Sequence, residues 1–163
     1  ELAVGTQGRL EQSASVDVGA VRVTERFFPR LPPTPAQRQE AAAMIDEGLA
    51  GLFAYPAGVP LVAVAGTATA LGAMDRQVPR FDAEELNGHF VVNERVEAMA
   101  DRLLSLTLEE TKAIPQISEQ RADIIGAGSL ILALALRRFG CPGLTVSTRG
   151  IRYGLLLREL GLA

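Results

Sequence analysis

Leu61–Leu71 reads LVAVAGTATAL. A run of apolar, β-compatible residues meets Gly66, and Thr67 and Thr69 then open a second apolar segment of helical character. A short apolar run that leaves through a glycine into a helix is the signature of a buried strand followed by a helix, the unit from which α/β sheets are built. The chemistry of the turn allows two readings. Glycine lets a backbone approach a ligand closely, and a helix N-terminus offers free N–H groups and a positive dipole end to an anion, with the threonine hydroxyls as further donors. Alternatively the turn is structural and its threonines cap the helix. No lysine stands there, so this is not a Walker-type phosphate loop.

The neighbouring stretches extend the same architecture in both directions. Leu2–Val4 and Arg9–Val16, joined through Thr6–Gln7 between two glycines, read as paired strands. Gly19–Phe28 fits a short amphipathic helix that Pro29, Pro32 and Pro33 stop. Thr34, Pro35 and Gln37 form a helix start with a capping box, and the helix is expected to run to about Phe53, with Ala42, Ile45, Leu49, Leu52 and Phe53 on one face. Tyr55–Pro60 is a loop into the strand Leu61–Ala65, and Asp75–Gly88 is a polar surface loop with one turn of helix. Asn93 is placed to cap a helix carrying Val96, Met99, Leu103 and Leu106. Ser118 is placed to cap another from Glu119 to about Phe139, ended by Gly140. Leu144–Ser147 reads as a strand and Ile151–Leu160 as a final helix. Strands first, then alternating strands and helices, predict one α/β domain over residues 1–163, with helices flanking a mixed sheet.

Composition removes several classes of function. Hydrophobic residues make up 48% of the 163 residues, enough for a core of its own. A net charge of −3 argues against a nucleic-acid-binding domain. One cysteine, Cys141, excludes an internal disulfide framework and fits a reducing cytoplasm, and one histidine, His89, excludes a His-rich metal site within the chain. The longest uncharged apolar run, Ile124–Leu136, is short against the roughly 20 residues of a membrane span.

Other candidates are weaker. Ile124–Ser129, IIGAGS, resembles a dinucleotide fingerprint, yet its third glycine position is Ile131 and the preceding apolar stretch is too short for a strand. Small residues packed against another element explain it better. His89 reads as a structural hydrogen-bonding residue, Cys141 as a turn residue, and Arg137–Arg138 as cations at a helix C-terminus. Leu144–Gly150, LTVSTRG, again leaves a strand through polar residues and a glycine. Ligands in α/β sheets gather beyond the carboxyl ends of strands, so the exits at Gly66 and at Thr148–Gly150 could face one cleft. There Arg149 could bind a phosphate through two parallel hydrogen bonds, or salt-bridge to a helix.

Taken in order, VDVGAVRVTERF, VAVAGTATAL, LNGHFVVNERVEAM, LTLEETKAI, SEQRADIIGAGSLIL and LTVSTRGIRYGLLL resemble the exopolyphosphatase/guanosine pentaphosphate phosphatase (Ppx/GppA) family over essentially the whole chain. The resemblance implies a ribonuclease-H-like domain of the superfamily that holds sugar kinases, heat-shock chaperone ATPases and actin. In that family two such domains flank a phosphate-binding cleft, and this chain is similar to the second. The family's first phosphate loop and main catalytic glutamate then belong to a missing N-terminal domain, and its Asp-Ile-Gly-Gly-Gly-Ser-Thr loop would end just before Glu1–Leu2. Carried over by position, Glu1 corresponds to an acidic residue that helps hold metal or water. Gly66, Thr67 and Thr69 match a Gly-Thr-x-Thr turn at the cleft. The family's Ser-Asp-Arg-Gly and Arg-Glu-Gly are here Ser147–Thr148–Arg149–Gly150 and Arg152–Tyr153–Gly154, without the acidic groups.

The resemblance implies a Mg²⁺-dependent, cytoplasmic hydrolase of polyphosphate or guanosine pentaphosphate. In it a carboxylate readies water for in-line attack on a terminal phosphorus. The substrate choice and the oligomeric state stay open, a homodimer included, and no nucleic-acid or membrane partner is expected. The chain alone is expected to be inactive. A non-catalytic sensor of the same fold is the rival reading, with slight support from Thr148 and Tyr153. A nicotinamide-binding domain resting on Gly126 and Gly128 is a third.

Overall fold

The computed structural model describes residues 1–79 and 81–162; Arg80, inside the stretch expected as a polar loop, lies outside the described residues. Strands β1 (Leu2–Thr6) and β2 (Arg9–Ala14) pair antiparallel as a hairpin. The two residues between them, Gln7 and Gly8, both have positive φ, 52° and 78°. That is the turn whose twist matches the strands it joins. Helix α1 (Ala20–Phe27) follows and buries Val23. Helix α2 (Pro35–Ala50) opens with the expected capping box of Thr34 and Gln37 and buries Ala41, Ile45 and Leu49, ending a turn earlier than expected.

The main sheet has three strands in the order β3 (Leu61–Val64), β5 (Gly143–Ser147), β4 (Phe90–Val92). β3 and β5 are parallel, with Val64 opposite Ser147, and β4 runs antiparallel to β5. The chain is thus α/β with a mixed sheet, as expected. The strand alternation puts Ala63, Val91, Leu144 and Val146 in the core. Against that face pack α3 (Ala65–Arg76), α5 (Asn93–Ser105) and α7 (Ile125–Phe139), contributing Leu71, Val96, Leu103, Ile125 and Leu136. α7 is apolar nearly all round because it is shared: its other side meets α1 and α2 in a second apolar cluster around Val23, Ile45 and Leu134. The alternate residues of the sheet, Val62, Val64, Phe90 and Val92, are exposed.

Several expectations are corrected. The helix expected from Glu119 is two pieces, a 3₁₀ turn at Glu119–Arg121 and then α7 from Ile125, and Ser118 makes no side-chain cap. Ile117 and Ala122 are buried, so tertiary packing draws this segment inward and breaks the helix. Asn93 does not cap α5; it is the first helical residue. β4 runs directly into α5, and the N–H of Asn93 is held by the carbonyl of Pro142. The expected Asp75–Gly88 loop begins inside α3 and contains α4 (Ala83–Leu86). β4 and α6 (Leu108–Lys112), whose capping box joins Thr107 and Glu110, add two elements to those expected. Gly140 ends α7 in the left-handed conformation, φ 64°, as expected. The final helix α8 (Ile151–Glu159) leaves Ile151, Leu155 and Leu156 exposed.

Candidate functional site

Because β3 and β5 are adjacent and parallel, their carboxyl ends lie side by side, and both exits singled out in the sequence open on the same edge. β3 turns into α3 at Ala65, and β5 leads through Thr148–Gly150 into α8. Two helix N-termini therefore point their positive ends toward this edge. Neither helix has a side-chain cap. The threonines do not cap α3 in the way the structural alternative required. The N-cap is Val64, and the first N–H groups have no partner within the helix.

The left-handed residue of the turn is Ala65, φ 73°, and not Gly66. A left-handed alanine is strained, and such strain persists where surrounding structure imposes it. Gly66 is needed for a different reason: a Cβ there would fall on the guanidinium of Arg121. Arg121 is exposed and makes no ion pair among the described residues. Sequence reasoning passed over it, since it looked like one more polar residue in a helix expected to begin at Glu119. The break before α7 is what delivers it to the turn.

The hydroxyl of Thr69 is already engaged. Thr69 Oγ1 donates toward the carbonyls of Ala65 and Gly66, both at 3.2 Å. The Thr67 side chain lies against α7, where a Cβ on Gly128 would stand 2.5 Å from its Oγ1. What this turn leaves for a ligand is backbone N–H and the hydroxyl of half-buried Thr67, which has no hydrogen-bond partner among the described residues, flanked by a cation. On the β5 side, the guanidinium of Arg149 sits 5.1 Å from the centre of the Tyr153 ring. This cation–π contact orients it without neutralising it, and Arg149 has no ion pair among the described residues. Thr148 ties the exit down: its N–H and hydroxyl reach Asn87 Oδ1, and the hydroxyl also reaches the carbonyl of Ala83. Where the family carries acids, this chain has a brace and an aromatic support.

Glu1 stands apart. It precedes β1, which pairs with β2, and the exposed Glu1 has no hydrogen-bond partner among the described residues. Mg²⁺ asks for several oxygen ligands, typically with one or two carboxylates. No group of three or more His, Cys, Asp or Glu side chains is assembled among the described residues. The edge itself carries arginines, so the residues present do not form a magnesium site.

The remaining candidates have structural partners. His89 Nε2 and Arg95 Nε both meet the carboxylate of Asp75, each at 2.8 Å. Desolvation alone would raise the Asp75 carboxyl, but the hydrogen bonds and charges of Arg95 and His89 outweigh it and hold it below its ordinary range. Burial pushes the Cys141 thiol up, which suits an inert turn residue. Arg137 pairs with Glu97. Gly126 and Gly128 lie within α7, where Cβ atoms would press on Leu104 and Thr67, so the glycines serve helix packing and not a dinucleotide. No described helix is long and apolar enough to cross a membrane.

The model of the Ppx/GppA phosphatase family matches residues 1–163. Exopolyphosphatase 2 of Mycobacterium tuberculosis is 33% identical over 159 residues, 91% of this chain and 49% of that protein. Exopolyphosphatase 1 of Mycobacterium leprae is 26% identical over 164 residues, 98% of this chain and 48% of that protein. Among solved structures, the Aquifex aeolicus member of the Ppx/GppA family superposes with a TM-score of 0.91 at 26% identity, covering 97% of this chain and 51% of that one. The chain thus spans about half the length of these relatives.

Proposed function

This chain belongs to the Ppx/GppA phosphatase family, and from that premise we propose that it is the second domain of a phosphoanhydride hydrolase that releases terminal phosphate from polyphosphate. The observation that carries the proposal is the edge where β3 and β5 end. Two helix N-termini without side-chain caps and two arginines that have no ion pair among the described residues lie along it. A polyanion is the ligand such an edge favours.

In this reading the N–H groups of Gly66 and Thr67 and the guanidiniums of Arg121 and Arg149 hold non-bridging phosphate oxygens. Thr69 contributes by fixing the first turn of α3. These groups keep the chain of phosphates in register and stabilise the charge that moves onto oxygen as the terminal phosphoryl departs. The carboxylate that readies water belongs, by resemblance, to an N-terminal domain of the same protein, with Glu1 at its margin. Mg²⁺, when bound there, would neutralise phosphate charge; the described residues of this chain do not assemble its site. The exposed apolar faces of the sheet and of α8, with relatives of about twice this length, support a covering domain. Guanosine pentaphosphate as a second substrate, a cytoplasmic location and a homodimer remain parts of the same proposal. Relatives bearing the exopolyphosphatase name favour an enzyme over a sensor.

The test is phosphate release from polyphosphate with Mg²⁺. The protein joined to its N-terminal half should turn over, and this chain alone should not. Turnover by the chain alone comparable to that of an intact relative would overturn the division of labour. An inactive joined protein that still binds polyphosphate would restore the sensor reading.

A further inference from the structure

At the opposite end of α3 from the candidate phosphate edge lies a cavity of about 470 Å³ between α3, α5 and the segment after α6. Its floor is apolar, formed by Met74, Met99 and Ile114, each with less than a tenth of its surface exposed. Its charged lining residues are Arg95 and Arg102, and no acidic side chain lines it among the described residues. The two arginines stand seven residues apart on α5, two turns of one helix face, so their Cα atoms are roughly 10 Å apart along the axis.

Arg95 is pre-oriented. Its Nε is held by Asp75, which is itself held by His89, so its two terminal nitrogens remain available. Arg102 is exposed and without an ion pair among the described residues. Of the carbonyls at the end of α3, those of Met74 and Ala73 are taken by the N–H groups of Gln77 and Val78. The amide of Gln116 donates to the carbonyl of Val78 at 2.8 Å and fastens the loop wall to the end of α3. A cavity of this size, with an apolar floor and two separated cations, is built to orient a small molecule.

We propose that this cavity binds a small organic dianion, its apolar middle over Met74 and Met99 and its two anionic groups on Arg95 and Arg102. The site lies about 12–17 Å along α3 from Gly66 at 1.5 Å per residue, so it is separate from the phosphate edge and does not depend on that reading.

The chain contains three methionines, which makes the test direct. Met74 and Met99 line the cavity, and Met44 packs in the other apolar cluster. With ¹³C-methyl-labelled methionine, suberate should shift the Met74 and Met99 signals saturably and leave Met44 in place. Octanoate, with one carboxylate, should bind at least tenfold more weakly, as should suberate to Arg102→Ala. An unchanged Met44 signal in that variant certifies the fold. Absence of saturable shifts, equal shifts at Met44, equal affinity for octanoate, or equal affinity in Arg102→Ala would each overturn the proposal. So would inorganic phosphate moving Met74 and Met99 as effectively as suberate.

Discussion

Val64–Thr69 and Ile124–Ser129 look alike on paper, since each sets glycine among small residues beside an apolar run, yet in the fold they do opposite work. The first leaves a strand at the carboxyl edge of the sheet, strains Ala65 into the left-handed region and leaves the first N–H groups of α3 open. The second is wound inside α7, and its glycines remove side chains so that Leu104 and Thr67 can approach. The two stretches also touch, Gly128 against Thr67, so the packing glycine fixes the helix whose end is the candidate binding turn. A glycine after a strand makes room for a guanidinium and for a ligand beside it. A glycine within a helix makes room for the neighbouring helix.

If that contrast is right, substitutions on the two sides should separate function from stability. Arg121→Ala should have the largest effect. In the intact enzyme it removes one donor to the phosphate, for which a loss of up to about 10²–10³-fold in kcat is the reference, while stability changes by less than ~0.5 kcal/mol as for most exposed residues. Steady-state kinetics beside thermal unfolding would show both. Gly128→Val should do the reverse first: overpacking against Thr67 should cost about 1–3 kcal/mol in urea denaturation. The cost should shrink in a Thr67→Ala background, because the clash partner is gone.

Gly66→Ala sharpens the comparison further. The added methyl meets only the movable end of Arg121, and alanine favours helix over glycine by up to about 1 kcal/mol, so stability should hold or rise. Activity should nonetheless fall, and the double variant with Arg121→Ala should be little worse than Arg121→Ala alone. Additive losses would mean that Gly66 acts independently of Arg121. The smallest effect belongs to Asp75, at the far end of α3. Its carboxyl is held below the ordinary range in the folded chain, so its contribution is present above the unfolded value and lost as pH falls through the folded one. Asp75→Asn should flatten part of the acid limb of stability against pH. Glu110, lowered by its capping hydrogen bonds, should leave a remnant of the same sign.

The sequence made most of the scaffold legible because its signals were local. The Thr34 capping box, the left-handed Gly140 and the strand before Gly66 each declare themselves within a few residues. What escaped depends on contacts between distant segments. β4 is three residues long and exists because β5 lies beside it. The helix expected from Glu119 breaks where Ile117 and Ala122 are drawn into the core, and that break alone brings Arg121 to Gly66. The glycine of the turn answers a side-chain approach and not a backbone demand, since the positive φ falls on Ala65.

The most direct test of the phosphate edge is a titration of this chain with tripolyphosphate followed by amide ¹H–¹⁵N spectra. The amides of Gly66, Thr67 and Ala68 and those of Arg149, Gly150 and Ile151 should shift together and saturate, Ile125–Gly128 should stay nearly still, and Arg121→Ala should flatten the response. Saturable shifts confined to other parts of the molecule, or a response at these amides that Arg121→Ala leaves unchanged, would contradict the account.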